Sequence, residues 1–287
     1  MERMKAQPTF DSEIEEFIRE RCLRWNTLTK RFDCDGDVNV KNCVVREDNC
    51  GFKIPFGVID GTFDCRMRGL AGLANAPTKA RSFLCSNNRL ESLEGCPSVT
   101  GFFDCSRNSL TTLAGVKAIE GSMDCHGNKL VSLKGLSQPI IYGEFNCSQN
   151  NIVSLKGSPK YVHGNFNCSG NRLSSLEHTP IVSGDYICNE NALDSLNGAP
   201  WNICGKFSCM GNNLKDLNGA PKLVKGSFHC SYNPIETFSG MPNEIGGDFY
   251  MMQESGKETL NKDDFEAVKP FVKGEVINNF SYTKTIF

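Results

Sequence analysis

An eleven-residue phrase recurs along most of the sequence with a nearly constant period. Its clearest copy is FDCSRNSLTTL at residues 103–113, and its central cysteine recurs as Cys65, Cys85, Cys105, Cys125, Cys147, Cys168, Cys188, Cys209 and Cys230. Successive cysteines are 20, 20, 20, 22, 21, 20, 21 and 21 residues apart. A fixed period in this range is typical of solenoids, in which each turn buries its apolar face by stacking on its neighbours. The sequence therefore predicts a mainly β repeat solenoid.

Each copy places apolar residues on one face of a short strand and an asparagine after it. An aromatic residue or methionine, such as Phe103 or Met123, stands two residues before the cysteine, and this alternation favours a strand with one buried face. Aliphatic residues such as Leu110 and Leu113 follow five and eight residues after it. The amide three residues after the cysteine can donate to and accept from the backbone where the strand ends. Arg68 holds this place in the first copy, and the others have Asn88, Asn108, Asn128, Asn150, Asn171, Asn191, Asn212 and Asn233.

The pattern apolar-x-Cys-x-x-Asn-x-Leu-x-x-Leu resembles the leucine-rich repeat family in its short form, over roughly residues 37–252. Aromatic residues replace the first leucine of the family signature, and cysteine replaces the second. This variant looks like uncharacterised repeat proteins of large tailed bacteriophages and, more distantly, like the repeats of bacterial secreted effectors. The resemblance implies a parallel β-sheet on a concave face and a role in protein binding.

The segments between copies are rich in glycine and proline. A glycine stands ten residues after most of the cysteines, and Asn75 and His178 replace it in two copies. Because asparagine and histidine are enriched at positive φ, this position is predicted to need a left-handed conformation. A proline follows two residues later in most copies and forbids a helix there. We therefore expect an extended, polyproline-like convex side.

The flanking segments predict short helical caps at both ends. Residues 1–36 form an N-terminal cap with a helix over 10–25, residues 37–252 form the solenoid, and residues 253–287 form a C-terminal cap and tail. The solenoid has about eleven rungs, counting a degenerate first rung and a degenerate last one. The second helix is predicted over 261–272, and the tail after it either packs back or joins a partner. The apolar stripe of the first helix comprises Ile14, Phe17, Ile18, Cys22 and Leu23, and the degenerate first rung is carried by Gly36, Val38, Val40, Cys43 and Val45.

Composition narrows the class of partner. The 287 residues carry a formal net charge of −2 and a pI of about 6.1, so no nucleic-acid partner is expected. The first residues lack the apolar core of a signal peptide, and no apolar run approaches the ~18 residues of a membrane span. Fifteen cysteines, an odd number in a long chain, argue against a disulfide framework. We expect a soluble protein in a reducing cytoplasm, which is the host cytoplasm if a phage encodes it.

The cysteine column is interpreted as a set of buried, reduced thiols that act as small apolar residues. Stacked strands lie ~4.8 Å apart, so oxidation of some neighbouring thiols is an alternative, and metal binding is another. A spacing of about twenty residues is unlike any compact zinc motif. Outside the column stand Cys22, Cys34, Cys43, Cys50, Cys96 and Cys204, which either pair or stay free.

The outward positions of the ladder strands carry the candidate binding residues. The acidic ones, Asp64, Asp104, Asp124 and Glu144, are predicted to steer a partner protein with a basic surface, and the aromatic and methionine residues to anchor it. The alternative at each position is an ordinary solvated sheet surface. The full set of predicted protein-binding residues is Asp64, Arg66, Phe102, Asp104, Asp124, His126, Glu144, Lys206, Met210, His229, Tyr232 and Tyr250.

A catalytic alternative rests on Asp104 and Asp124, which fall on adjacent rungs beside His126. Stacked carboxylates of this kind serve parallel β-solenoid glycosidases, and mutual repulsion would raise one pKa. No nucleophile and no phosphate-binding loop accompany them.

We therefore predict a non-catalytic interaction scaffold without cofactor or metal, acting on a host protein or another phage component. A structural part of a phage particle is the alternative, and the oligomeric state stays open.

Overall fold

The computed structural model describes residues 8–136, 139–253, 256 and 259–279. Over these residues the chain is a mainly β protein with few helices, built on a parallel-strand solenoid of about ten turns. Within these ranges, no helix has the length and apolar character needed to span a membrane. The chain forms two compact units, one of residues 1–130 and 134–138 and the other of residues 131–133 and 139–287.

The first unit begins with a helix and a hairpin and continues as parallel strands. Its elements are α1 (Ser12–Glu20), β1 (Arg24–Asn26), β2 (Arg31–Cys34), β3 (Val38–Asn39), a 3-10 turn (Asn42–Val44), β4 (Phe56–Asp64), β5 (Lys79–Leu84), β6 (Ser98–Val99), β7 (Phe103–Asp104) and β8 (Met123–Asp124). The strands β1 and β2 pair antiparallel. The order that follows, β2-β4-β5-β7-β8, is parallel, and β3 also pairs with β4 and β6 with β5.

The second unit pairs strands on two sides of each turn. The elements are β9 (Ile140–Ile141), β10 (Phe145–Asn146), β11 (Tyr161–Val162), β12 (Phe166–Asn167), β13 (Ile181–Val182), β14 (Tyr186–Ile187), β15 (Asn202–Ile203), β16 (Phe207–Ser208), β17 (Leu223–Val224), β18 (Phe228–His229), β19 (Glu244–Ile245), β20 (Phe249–Met251), α2 (Lys262–Val268), a 3-10 turn (Lys269–Phe271) and β21 (Val276–Asn278). We call the sheet that contains the strands before the ladder cysteines the ladder sheet, and in this unit its order is β10-β12-β14-β16-β18-β20-β21. The return segments, which run from the left-handed glycine position of one copy to the ladder strand of the next, form two three-stranded parallel sheets, β9-β11-β13 and β15-β17-β19.

The return segments are extended, as predicted. Their strands also pair with those of neighbouring turns, which was not predicted. The buried aliphatic residue of each segment, such as Val162, holds the backbone of neighbouring turns in register. The backbone N–H of His163 then donates to the carbonyl of Ile141 at 3.0 Å. A polyproline helix would leave these groups to water, whereas burial of the aliphatic column favours pairing.

The parallel register stacks identical side chains within each unit. The rings of Phe63 and Phe83 lie with centroids 5.7 Å apart and planes 14° apart, and those of Phe207 and Phe228 lie 5.3 Å and 25° apart. All four are fully buried. Burying one such ring contributes roughly 1.5–3 kcal/mol relative to exposing it. The aromatic column is therefore a main source of stability along the solenoid.

The left-handed position between rungs is confirmed. Asn75 has φ 63° and His178 has φ 66°, and the seven glycines at this position have φ between 81° and 99°. A side chain at Gly115 would put its Cβ 2.7 Å from the backbone nitrogen of Glu94 on the preceding turn. Glycine is therefore needed there both for its backbone angle and for the close approach of two turns.

The degenerate first rung is present as a strand. Val38 pairs with Phe63 in the ladder register, and the N–H of Val40 donates to the carbonyl of Asp64 at 2.8 Å. Cys43 follows Val38 by five residues, as Asn108 follows Phe103, so it stands at the asparagine position of this rung. It lies in the 3-10 turn Asn42–Val44. A thiol is a weak donor and cannot bind several backbone carbonyls as an amide does, so this rung ends differently.

The first helix begins as predicted but ends earlier than predicted. The side chain of Asp11 accepts from the N–H of Ile14 at 3.0 Å and starts the helix. Cys22 then adopts φ 51°, and the N–H of Leu23 donates to the carbonyl of Ile18 at 2.9 Å. These contacts form a Schellman-type ending. The prediction of helix to residue 25 was wrong because the chain turns at Cys22 and continues as β1.

The carboxyl-terminal helix has a capping box. Asn261 accepts from the backbone N–H groups of Asp263 and Asp264, and the Asp264 side chain accepts from the N–H of Asn261. The helix runs over Lys262–Val268 and continues as the 3-10 turn. Val276–Asn278 then pairs with β20, so this part of the tail packs back onto the ladder sheet. Residues 280–287 of the tail lie outside the described residues.

Candidate functional site

The candidate site is the ladder face, which we define as the residues directly before and after each ladder cysteine on the ladder strands, with the residues bordering them. The predicted binding residues divide between the two units. The first unit contains Asp64, Arg66, Phe102, Asp104, Asp124 and His126, and the second contains Glu144, Lys206, Met210, His229, Tyr232 and Tyr250.

Every copy of the repeat has a left-handed residue two positions after the ladder cysteine. The φ angles there lie between 50° and 65°. This feature was not predicted, although glycine holds the position in three copies and asparagine in a fourth. The left-handed conformation turns the backbone away from the direction of the preceding strand. The residues are Met67, Asn87, Arg107, Gly127, Gln149, Gly170, Glu190, Gly211 and Tyr232.

The asparagine column joins the backbones of consecutive turns within each unit. The Nδ2 of Asn108 donates to the carbonyls of Cys85 and Cys105 at 3.0 and 3.2 Å, and its Oδ1 accepts from the N–H of Leu90 at 3.0 Å. The same pattern holds for Asn88, Asn128, Asn171, Asn191, Asn212 and Asn233, and Asn150 donates to the carbonyl of its own cysteine. The exception, Arg68, donates through Nε to the carbonyl of Val40 at 2.8 Å. A guanidinium thus replaces the amide donor.

The nine ladder cysteines are fully buried. Their thiols face backbone carbonyls of the next turn, as in Cys188, whose Sγ donates to the carbonyl of Ser208 at 3.3 Å. Burial raises the pKa of the Cys168 thiol to about 12, so it stays protonated at neutral pH. The cysteines outside the column differ, since Cys22, Cys50 and Cys204 are exposed, Cys43 is half-buried, and Cys34 and Cys96 are buried.

The first-unit carboxylates of the ladder face close the ends of their own strands. The Oδ1 of Asp104 accepts from the N–H of Ser106 at 3.0 Å and from its hydroxyl at 2.6 Å. Asp64 accepts in the same way from the N–H and guanidinium of Arg66, with an ion-pair distance of 2.7 Å. These are side-chain turns in which a carboxylate replaces a backbone acceptor. Each of these acids therefore has a structural role.

The charge of Asp64 is compensated locally. Partial burial acts to raise its pKa, but hydrogen bonds from the Arg66 side chain and backbone, together with the charge of Arg66, outweigh it and lower the pKa. The carboxylate is therefore ionised at neutral pH with its counter-ion beside it. This arrangement weakens the field that the residue presents to a distant partner.

Both ring nitrogens of His126 are engaged in protein contacts. Its Nδ1 lies 2.8 Å from the Oδ1 of Asp124, and its Nε2 lies 3.3 Å from the Nε of Arg107. Because the Arg107 nitrogen can only donate, the Nε2 of His126 accepts, and Nδ1 carries the proton toward Asp124. Both ring nitrogens of this imidazole therefore have protein partners. Among the described residues, no group of three His, Cys, Asp or Glu side chains is arranged to hold a metal ion.

The ladder face of the second unit contains two stacked aromatic rings, one of which is held by a hydrogen bond. The rings of His229 and Tyr250 stack with centroids 4.0 Å apart and planes 23° apart. The Tyr250 hydroxyl donates to Asp248 at 3.0 Å, and Asp248 also accepts from the N–H of Glu275 at 2.9 Å. These two hydrogen bonds, the backbone one first, lower the pKa of Asp248. Partial burial and then the charge of Lys206 lower the pKa of His229, which is neutral at pH 7.

Two methionines and a second tyrosine border this stack. Met210 and Met252 occupy the column after the ladder residue, with Ser231 between them, and the N–H of Met252 donates to the Ser231 hydroxyl at 3.0 Å. Tyr232 is 53% exposed and left-handed. We define the aromatic–methionine cluster as Met210, His229, Tyr232, Tyr250 and Met252.

The other three predicted residues lie one column further out. Phe102 is 40% exposed, and its N–H donates to the Ser82 hydroxyl at 3.3 Å. Glu144 accepts from the Nδ2 of Asn165 at 2.9 Å. The N–H of Lys206 donates to Asp185 at 2.7 Å. Side chains of this column therefore cap the backbone of the neighbouring turn.

No model of a known protein family matches this chain, and no curated protein matches it significantly. Its function is therefore inferred from the geometry of the ladder face.

Proposed function

We propose that this chain is a leucine-rich repeat scaffold that binds a partner protein through a concave ladder sheet. The repeat pattern and the asparagine column support the family assignment, because the amides bind consecutive turns at the position where the family signature carries asparagine. In this proposal α1 and α2 cap the ends of the stack. The burial of Ile14 and Phe17 in α1 and of Phe265 and Val268 in α2 supports that role.

The observation that carries the binding proposal is the aromatic–methionine cluster. Tyrosine and methionine are enriched at the centres of protein interfaces, and rigid aromatic anchors lose little conformational entropy on binding. Here the hydroxyl of Tyr250 donates one hydrogen bond to Asp248, and the ring of Tyr250 stacks on His229. The cluster therefore presents apolar area in a preorganised form, which lowers the cost of association.

The acidic residues have a smaller part in this proposal than their sequence pattern predicts. Asp64, Asp104 and Asp124 bind their own strand ends, and Arg66 and His126 lie beside two of them. Glu144 stays exposed. Steering of a basic partner is therefore a secondary contribution that depends on ionic strength.

The setting we propose is the host cytoplasm, with a host protein or another phage component as the partner. This rests on the resemblance of the repeats to phage proteins and on the column of buried thiols, which suits a reducing compartment. No catalytic step is part of the proposal, since the ring nitrogens of His126 are both engaged.

The test compares two substitutions at the same repeat position. Tyr232→Asn removes the exposed ring while keeping a residue that tolerates positive φ. Glu190→Asn, two turns earlier, makes the same backbone replacement outside the cluster. We expect affinity capture from a host lysate with the intact chain to recover one stoichiometric protein, and Tyr232→Asn to weaken binding by roughly tenfold or more.

The Glu190→Asn chain is expected to recover the same protein in full. Equal recovery by wild type and Tyr232→Asn would contradict the proposed site. Abundance of the protein in purified phage particles, measured by mass spectrometry, would instead favour the virion component.

A further inference from the structure

The return segments of the second unit expose a set of large side chains that the ladder face does not use. In the parallel sheet of β9, β11 and β13, Ile140, Tyr161 and Ile181 fall in one column. The rings of Tyr142 and His163 stack beside it with centroids 5.5 Å apart and planes 6° apart. We define the return-face patch as Tyr142, Tyr161, His163, Ile181 and Trp201. Four of these residues stand out by exposure, with Trp201 71%, Tyr142 62%, Ile181 60% and Tyr161 44% exposed.

Trp201 belongs to this patch by its place in the repeat. It lies eight residues before Cys209, as Lys160 lies eight residues before Cys168 and Lys222 eight residues before Cys230. Trp201 thus stands at the repeat position that Lys160 holds two turns before and Lys222 one turn after. Isolated exposed apolar residues are ordinary, but several on successive turns of one face indicate a contact surface.

The charge around the patch is positive and uncompensated. Lys160, Lys222 and Lys225 border it, and none of them forms an ion pair with a described residue. The nearby Glu244 is different, because Lys273 pairs with it. A second copy of the same face would bring these lysines together and be repelled, so self-association through this patch is disfavoured.

The backbone beneath the patch is already hydrogen-bonded. The N–H of His163 donates to the carbonyl of Ile141, and that of Ser183 donates to the carbonyl of Val162, both at 3.0 Å. An added strand would find no unpaired groups at these positions, so a partner must be recognised through side chains.

We propose that the return-face patch is a second protein-docking surface, and that its partner presents aspartate and glutamate side chains around an aromatic or aliphatic centre. Trp201 and Tyr161 supply the apolar contact, and the three lysines supply the charge complementarity. This surface is independent of the ladder face.

A labelled random copolymer of glutamate and tyrosine in a 4:1 ratio is the probe, with binding to the full chain measured by fluorescence anisotropy. We expect Trp201→Ala to weaken the affinity on the order of thirtyfold and the pair Lys160→Glu with Lys225→Glu on the order of tenfold. The pair Lys129→Glu with Lys134→Glu is the matched charge control, because these two exposed lysines lie in the first unit. Tyr232→Asn, which removes the ladder-face anchor, is expected to leave copolymer binding unchanged.

Four results would overturn the proposal. The first is failure of the wild-type chain to bind the copolymer, and the second is equal binding by wild type and Trp201→Ala. The third is preferential binding of oligo(dT) or of phosphatidylcholine vesicles containing phosphatidylserine, which would assign the patch to nucleic acid or to a membrane surface. Loss of copolymer binding in Tyr232→Asn would likewise contradict a separate surface.

Discussion

At the scale of single residues, the most consequential group is the asparagine amide that joins consecutive turns. Asn212 is 6% exposed, and its Nδ2 donates to the carbonyls of Cys188 and Cys209 at 3.2 and 3.0 Å. Its Oδ1 accepts from the N–H of Leu193 at 3.2 Å. One side chain thus binds buried backbone groups on two turns. The carbonyls of Cys188 and Cys209 also accept from the Nδ2 atoms of Asn191 and Asn233 at 3.2 and 3.0 Å, so the amide columns share these acceptors.

Asn212→Ala is expected to lower the free energy of unfolding by about 3 kcal/mol, because the N–H of Leu193 loses its acceptor and the carbonyls of Cys188 and Cys209 each lose one of two amide donors. Asn213→Ala changes the next residue, which is exposed, and is expected to change that free energy by less than about 0.5 kcal/mol. Urea unfolding followed by circular dichroism measures both. Similar midpoints for the two variants would contradict the role assigned to the amide.

At the scale of elements, chain direction is set where a residue takes a left-handed conformation. Cys22 ends α1 in this way at φ 51°, a place where helices most often have glycine. Cys204 is an equally exposed thiol, but it lies in a return segment without positive φ. The two cysteines therefore differ in backbone conformation, although both are exposed.

This contrast predicts opposite effects of one substitution. Cys22→Gly is expected to raise the free energy of unfolding by roughly 0.5–1 kcal/mol, since the left-handed backbone no longer costs steric energy. Cys204→Gly is expected to lower it by a similar amount, about 0.5–1 kcal/mol, through the entropy of the unfolded chain. Thermal unfolding of both variants decides the matter, and a loss of stability in Cys22→Gly would count against the Schellman-type ending.

At the scale of the whole molecule, stacking sorts the fifteen cysteines by accessibility. Nine ladder thiols are buried, and burial raises the pKa of Cys168 to about 12, while Cys22, Cys50 and Cys204 are exposed. A thiol reacts as the thiolate, so burial protects the ladder both by blocking access and by keeping the proton in place.

A colorimetric thiol reagent at neutral pH is therefore expected to modify three cysteines quickly in the folded chain and all fifteen after denaturation without reductant. Rapid reaction of many more thiols in the folded chain would show that the ladder is open. A total below fifteen after denaturation would show that some of the cysteines are oxidised.

The sequence by itself determined the repeat, the inward columns and the left-handed glycine position, because each depends on spacing along the chain. The positive φ of Asn75 and His178 was predictable for this reason. The sequence could not determine which groups the outward side chains contact. Asp104 has the sequence context of a binding acid, but it accepts from Ser106 at the end of its own strand. Only the tertiary structure decided that, and it also stacked His229 on Tyr250 and left Trp201 exposed on its return segment. Such contacts depend on the register between turns, where residues about twenty apart become neighbours.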